Sequence, residues 1–316
     1  MFQKPTSLIE FILAEERKAK GATGDLTLLL THIDYATRII ASHINRAGLV
    51  DILGSSGKKN VYEDEVQKLD EYSNQLFIDI LSSTGVVSVL ASEELEKPIL
   101  VDKKGKYMVF FDPIDGSSNI DVNASVGTLF SIYHQSDSPL QPGEKQVAAG
   151  YVIYGSSTMF VYTYGSGVNG FTLDPSIGSF LLSHPSLRIP EKGNIYSANE
   201  GNSPLWDDAV KKYIDRLKNG DKPYKGRYIG TLVADLHRTL LKGGVFLYPS
   251  DKKHKTGKLR LLYEVSPAAL LIKQAGGLSL SEKKDPLTIT PTSFSHTAPV
   301  VFGSPWEMKE FVKITQ

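Results

Sequence analysis

The stretch from Tyr107 to Asn119 constrains this chain more than any other. An apolar run, Tyr107 to Phe111, reads as a buried strand, and it drops straight into Asp112-Pro113-Ile114-Asp115-Gly116-Ser117-Ser118-Asn119. Carboxylates suit hard divalent cations such as Mg²⁺, which take oxygen ligands. Pro113 fixes φ, so the acids at 112 and 115 can be held pointing one way. Gly116 allows close backbone approach, and the amides and hydroxyls beyond it can receive phosphate oxygens. Metal and phosphate receptors in one short loop point to metal-assisted phosphoryl chemistry. The same composition also makes an ordinary turn. The choice rests on whether more acids arrive from elsewhere.

With 316 residues the chain can build a large core and two lobes. Lys+Arg and Asp+Glu both total 35, which argues against a general nucleic-acid or membrane-surface binder. The absence of cysteine excludes disulfides, thiolate catalysis and Cys-ligated zinc. Met1 to Gly21 lacks the apolar core of a secretory signal, and no apolar run approaches the roughly 18 residues of a membrane span. A cytoplasmic enzyme is the expected class.

Leu26, Leu30, Ile33, Ala36, Ile40, Ile44 and Ala47 recur at helical spacing, predicting a helix capped by Thr23 or Asp25 and ending near Gly48. Gly54 to Glu65 reads as a mobile loop, followed by a helix through Leu69, Phe77 and Leu81. Val86 to Ala91, β-branched and apolar, reads as a central strand, and it ends in Ser92-Glu93-Glu94. Strands follow at Leu129–Tyr133, Val147–Tyr154, Met159–Tyr164 and Phe171–Leu173. Pro185 to Lys192 reads as a junction, giving lobes of residues 1–187 and 188–316. Beyond it the pattern predicts strands at Ile195–Ala198, Val245–Tyr248, Leu278–Leu280 and Pro299–Phe302, with helices at Leu205–Leu217, Leu232–Leu241 and Ser266–Ala275. This alternation predicts a layered α/β/α/β/α sandwich with mixed sheets.

Two acidic strand ends, Glu93-Glu94 and Asp112/Asp115, converge if their strands share a sheet. Converging carboxylates repel unless cations neutralise them. Glu264, Asp64 and Asp70 are further acidic candidates, although Asp70 alone is also an ordinary helix N-terminal charge. Lys258 and Arg260 alternate with apolar residues, so on a strand both face one side, where a bisphosphate needs cations.

Asp112-Pro113-Ile114-Asp115-Gly116-Ser117-Ser118 resembles the signature of the lithium-sensitive, metal-dependent sugar and inositol phosphatases. Ser92-Glu93-Glu94, Asn199-Glu200-Gly201, Arg227-Tyr228-Ile229-Gly230, Gly243 to Pro249 and Gly257 to Glu264 narrow the resemblance to the class I fructose-1,6-bisphosphatases, from about residue 8 to about 312. The resemblance implies two or three Mg²⁺ ions, with Mn²⁺ as an alternative, on Asp64, Glu93, Asp112, Asp115 and Glu264 and the carbonyl of Ile114. It makes Asp64 and Glu94 the residues that orient and deprotonate the attacking water, with Asp70 in support. Asp115, Gly116, Ser117, Ser118 and Arg260 would surround the 1-phosphate. Asn199, Tyr228, Phe246, Leu247, Tyr248 and Lys258 would hold the sugar and 6-phosphate, with Arg227 entering a neighbouring subunit's site in a homotetramer. The first lobe would carry effector and metal sites, and the second the sugar-bisphosphate site.

An AMP-type regulatory site is implied at Thr23, Gly24, Asp25, Thr27, Lys106 and Tyr107. The Lys20 to Gly24 stretch is one residue longer than the animal pattern. His134 replaces an expected arginine, which predicts weakened AMP inhibition, because a mostly neutral imidazole replaces a bidentate phosphate partner. Asn202 stands where many members carry a tyrosine for the 6-phosphate. Gly165-Ser166-Gly167-Val168-Asn169-Gly170 fits a dinucleotide fingerprint in spacing only, since the strand-like Phe171-Thr172-Leu173 follows it, and it reads as a hairpin turn. His237 reads as helix packing. The expected activity is hydrolysis of fructose 1,6-bisphosphate to fructose 6-phosphate. The competing readings are a sedoheptulose-1,7-bisphosphatase or inositol-phosphate phosphatase, or a catalytically retired sugar-phosphate-binding homologue.

Overall fold

A computed structural model describes residues 5–49, 53–59 and 65–315. The helices are α1 (Leu8–Glu16), α2 (Asp25–Ile44), α3 (Lys68–Ser82), α4 (Asp208–Asn219), α5 (Leu232–Lys242), α6 (Ser266–Gln274) and α7 (Pro305–Thr315). The strands begin with a small hairpin, β1 (Ser55–Lys59) and β2 (Glu65–Gln67). Next in the chain come β3 (Val87–Ser92), β4 (Ile99–Leu100), β5 (Tyr107–Asp115), β6 (Val126–His134), β7 (Gln146–Tyr154), β8 (Thr158–Thr163), β9 (Val168–Asp174) and β10 (Ser179–Leu187). The remaining strands are β11 (Ile195–Ser197), β12 (Lys225–Gly226), β13 (Val245–Tyr248), β14 (Leu259–Arg260), β15 (Leu278–Leu280), β16 (Thr297–Ala298) and β17 (Val300–Gly303).

An eight-stranded sheet has the order β10-β9-β8-β7-β6-β5-β3-β4, and a five-stranded sheet the order β12-β11-β13-β17-β15. Alternation along each strand sends side chains to opposite faces, and each face finds a helical cover. On the outer face of the large sheet, Leu90, Phe111, Phe130 and Phe160 pack with Leu30, Ile33 and Ile40 of α2 and Phe77 of α3. On the inner face, Leu129, Tyr151 and Val161 meet α5, α6 and Phe246 and Phe302 of the smaller sheet. Leu247 and Val301 point the other way, against Tyr213 of α4 and Phe311 of α7. The result is α/β/α/β/α layering with mixed sheets, as the alternation predicts.

Several local expectations differ. The α2 cap is Gly24, left-handed at φ 83° with no side-chain bond, rather than Thr23 or Asp25. Strand β5 does not stop at Phe111 but runs through the acidic motif to Asp115. Its ladder with β6 shifts between Asp112 and Asp115. Pro113, which has no N–H to donate, sits within that irregularity, where a strand tolerates it. The flanks of the Gly54–Glu65 loop pair as the β1–β2 hairpin, with Ser55 opposite Gln67. Lys258 to Glu264 is not one strand: two residues of β14 give way to a π-helical turn, Leu261–Val265, that leads into α6. The glycine-rich turn after Thr163 joins antiparallel β8 and β9, as a hairpin requires. Pro185 lies in β10, an edge strand. Among the described residues, no helix is long and apolar enough to cross a membrane.

Candidate active site

The site is built where the two acidic strand ends meet. Strands β3 and β5 are parallel, with Ser92 opposite Phe111, so both chains arrive at the same edge. The N–H of Glu93 donates to the Phe111 carbonyl at 3.1 Å, which carries the pairing one residue past β3. The acidic loop is then fixed from several sides. Ile114 N–H donates to Asp112 Oδ1 (3.0 Å), and the Thr128 hydroxyl donates to the Pro113 carbonyl (2.7 Å). At the start of α5, Val233 N–H donates to Asp115 Oδ2 at 2.6 Å, where the helix dipole also favours negative charge. Gly116 adopts φ +75°, and a Cβ there would lie 2.0 Å from Thr231 Cγ2, so the loop presses on the α5 cap as only glycine allows.

Glu264 reaches the same place from the π-helical turn, its Oε2 accepting from Arg260 N–H at 2.5 Å. Glu93, Asp112 and Glu264 each present an oxygen, and these three lie within 4.8 Å of one another. Arg260 Nε lies 3.8 Å from Glu93 Oε1. Burial, together with the charges of Glu93, Asp115 and Glu264, pushes the Asp112 carboxyl well above the usual carboxylate range. Glu264 is raised well above it by burial and by Glu93 and Asp115. Asp115 is raised to about 7, chiefly by burial, while the α5 amides pull the other way. Asp70, at the third position of α3, accepts from Gln67 N–H at 3.0 Å and is raised to about 6, mainly by burial. Buried carboxylates packed this closely need positive charge among them, so the donor set fits a divalent metal ion. Glu94 is half-buried beside this cluster in sequence, its N–H bonded to Ser92 Oγ at 3.2 Å. Asp64 lies outside the described residues.

A cavity opens from Asp115 toward Tyr228, Phe246, Tyr248 and Leu259. It brings together Tyr228, Phe246 and Tyr248 of the residues expected to hold a sugar. Asn199 lies within hydrogen-bonding reach of Tyr228 and caps the turn that includes Asn202, accepting from Gly201 N–H at 3.2 Å. The alternation of β13 turns the Leu247 side chain into the opposite core with Tyr196 and Val301, so only its backbone faces the neighbourhood of Phe246 and Tyr248. Ser118 and Lys258 are exposed, whereas Ser117 is half-buried and its side chain bonds Asp70. Arg227 is exposed as well, its guanidinium turned back onto the Gly226 carbonyl at 2.8 Å.

The regulatory candidates gather elsewhere. Thr23, Gly24 and Thr27 line a cavity with Tyr107 between α1, α2 and the large sheet. Lys106 pairs with Asp25 and donates to Thr23 Oγ1 at 3.2 Å, while Thr27 bonds Glu16 at 2.6 Å. His134 stacks on Tyr107, ring centroids 5.4 Å apart.

Residues 6–185 match the model of the fructose-1,6-bisphosphatase N-terminal domain, and residues 189–316 that of its C-terminal domain. The class 1 fructose-1,6-bisphosphatase of Sulfurihydrogenibium is 57% identical over 96% of this chain and 95% of its own. The chain belongs to the fructose-1,6-bisphosphatase family. The cytosolic fructose-1,6-bisphosphatase of indica rice is 48% identical, covering 96% of this chain and 93% of its own. The Leishmania major fructose-1,6-bisphosphatase in holo form superposes with a TM-score of 0.94 at 42% identity, over 99% of both chains. The same enzyme in its T-state gives 0.90 at 41% identity, again over 99% of both.

In this fructose-1,6-bisphosphatase family member, two further residues, Thr231 and Asp235, shape the site. Thr231 caps α5, its Oγ1 accepting from Ala234 N–H at 3.3 Å, and it supports Gly116. Its position just ahead of the predicted helix was a readable cap signal. Asp235, buried in the first turn of α5, carried no such signal, because an acid there is equally an ordinary dipole-favoured charge.

Proposed function

We infer that the chain hydrolyses D-fructose 1,6-bisphosphate to fructose 6-phosphate and phosphate by in-line attack of water on the 1-phosphate. The observation that carries this is the carboxylate cluster of Glu93, Asp112 and Glu264 opening, through Asp115, into the tyrosine-lined cavity. Glu93, Asp112, Asp115 and Glu264, with the Ile114 carbonyl and Asp64, would hold two or three Mg²⁺ ions, Mn²⁺ being an alternative. Bound divalent ions supply the positive charge that steadies the entering and leaving oxygens of a phosphoryl transfer. Glu94 and Asp64 orient the attacking water and take its proton, and Asp70 supports them. Gly116, Ser117, Ser118 and Arg260 receive the 1-phosphate through amides, hydroxyls and a fixed cation. Asn199, Tyr228, Phe246, Tyr248 and Lys258 hold the sugar and 6-phosphate.

The N-terminal lobe, residues 1–187, carries the effector site and most of the metal ligands, and residues 188–316 add Glu264 and the sugar-bisphosphate site. Arg227 enters the site of a neighbouring subunit in a homotetramer, which its exposure supports. A cytoplasmic setting is supported by the rice relative's cytosolic name. The deciding assay is phosphate release from fructose 1,6-bisphosphate, sedoheptulose 1,7-bisphosphate and inositol monophosphate, with and without Mg²⁺. Mg²⁺-dependent release, fastest from the fructose ester, is expected. Faster sedoheptulose turnover would reassign the substrate, and no release from any of them would leave a retired binding protein.

A further inference from the structure

Asp235 is 1% exposed, and its carboxylate is fully employed as an acceptor. Oδ1 receives the Ser197 hydroxyl at 2.7 Å and Ile229 N–H at 3.1 Å. Oδ2 receives Gly230 N–H at 3.1 Å and Ile229 N–H at 3.2 Å. An ionised carboxylate is acceptor-only at both oxygens, which this ring of donors requires, whereas an amide would set its own N–H₂ against a backbone N–H. Burying such a charge is costly unless hydrogen bonds meet it, so its presence calls for a reason.

Three pieces of the sugar cleft meet at this one group. Ser197 ends β11, two residues before Asn199. Ile229 and Gly230 follow Tyr228, which lines the cavity and is 37% exposed. The turn is left-handed at Gly230, φ +93°, and upstream it is anchored by Arg227 N–H on the Tyr196 carbonyl at 2.8 Å. Asp235 itself sits on α5, whose Val233 N–H holds Asp115. The distal half of the cleft is therefore fixed to the helix that fixes the metal loop.

We propose that Asp235 is a positioning residue that sets the Tyr228 loop and Asn199 at the right distance from the acidic cluster, and so sets the preference for a bisphosphate over a monophosphate. The proposal rests on the cleft being a sugar-bisphosphate site. The test compares wild type, Asp235→Asn and Ser197→Ala on fructose 1,6-bisphosphate and on fructose 1-phosphate, which lacks the distal group, with Mg²⁺ present. Losing hydrogen bonds to a charged acceptor predicts a roughly 10- to 100-fold rise in KM for the bisphosphate in Asp235→Asn. Turnover at saturation holds within a few-fold, as loss of uniform binding requires, and KM for fructose 1-phosphate, which keeps the sugar but not the distal phosphate, rises much less. Ser197→Ala shifts the same ratio in the same direction but less, and it decides the matter alone if Asp235→Asn does not melt cooperatively. Equal losses on both substrates, or an unchanged ratio, would overturn the proposal while leaving the phosphatase reading intact. A wild type inactive on the bisphosphate would remove both.

Discussion

His237 and His134 show how much a single imidazole depends on its neighbours. The Nδ1 of His237 lies 2.8 Å from the Tyr151 hydroxyl in the central layer, and burial lowers its pKa from 6.5 to about 4. On acidification the unfolded chain takes this proton first, so stability is whole above pH 6.5 and falls as pH drops toward about 4. The shift is worth up to roughly 3 kcal/mol. His237→Gln is expected to flatten that part of the stability–pH curve relative to wild type, measured by urea unfolding between pH 7 and 4. Parallel curves would show that the ring is not held neutral. His134, in contrast, is exposed and only stacks on Tyr107. If the nearby cavity takes a nucleotide monophosphate, His134 offers it no fixed bidentate cation, and Lys106 is already paired with Asp25. His134→Arg should tighten AMP inhibition by about tenfold, the worth of one charge-assisted hydrogen bond. A wild type inhibited as tightly as His134→Arg would refute the weakened-effector reading.

The elements carry the acidic cluster, and their pairing explains its electrostatics. Parallel β3 and β5 deliver Glu93 and Asp112 together, and the turn before α6 adds Glu264. Without cations these groups repel, so Asp112→Asn should relieve strain: the metal-free variant is expected to melt above the metal-free wild type. Its amide carbonyl can still accept the Ile114 N–H that Oδ1 accepts now. Adding Mg²⁺ should raise the wild-type melting temperature by mass action but move the variant much less, and activity should vanish. Equal Mg²⁺ shifts in calorimetry would remove Asp112 from the metal set. The convergence was legible because apolar runs ending in acids name the strand ends. Other elements were less so. The alternation from Lys258 to Tyr263 imitates a strand, but after Arg260 the backbone closes into a π-helical turn, Leu261–Val265, buried throughout, and consecutive burial alone does not separate such a turn from a central strand. Helix α1 was missed although Ser7 and Glu10 form a reciprocal capping box that the sequence spells out. The fourfold grip of Asp235 was not readable at all, since its donors come from residues 197, 229 and 230, brought close only by the tertiary fold.

At the scale of the whole molecule, α5 and α6 belong to both sheets at once, so the two lobes share a core rather than meeting at a hinge. The site's remaining edge is open to solvent, where Tyr228 and the exposed Arg227 stand. The Arg227 guanidinium is turned onto its own Gly226 carbonyl, a modest use for a group suited to bidentate phosphate recognition. A role in a neighbouring subunit's site makes a prediction that no single-chain role makes. Arg227→Ala and Asp112→Asn subunits should each be nearly inactive on the bisphosphate when assembled alone. Unfolded together and refolded as mixed oligomers, they should regain activity, because an intact acidic cluster then meets an intact arginine from its neighbour. Random pairing across a two-fold interface puts the ceiling at about a quarter of the wild-type rate. If sedimentation shows mixed oligomers and the rate stays at the sum of the parents, Arg227 serves its own chain.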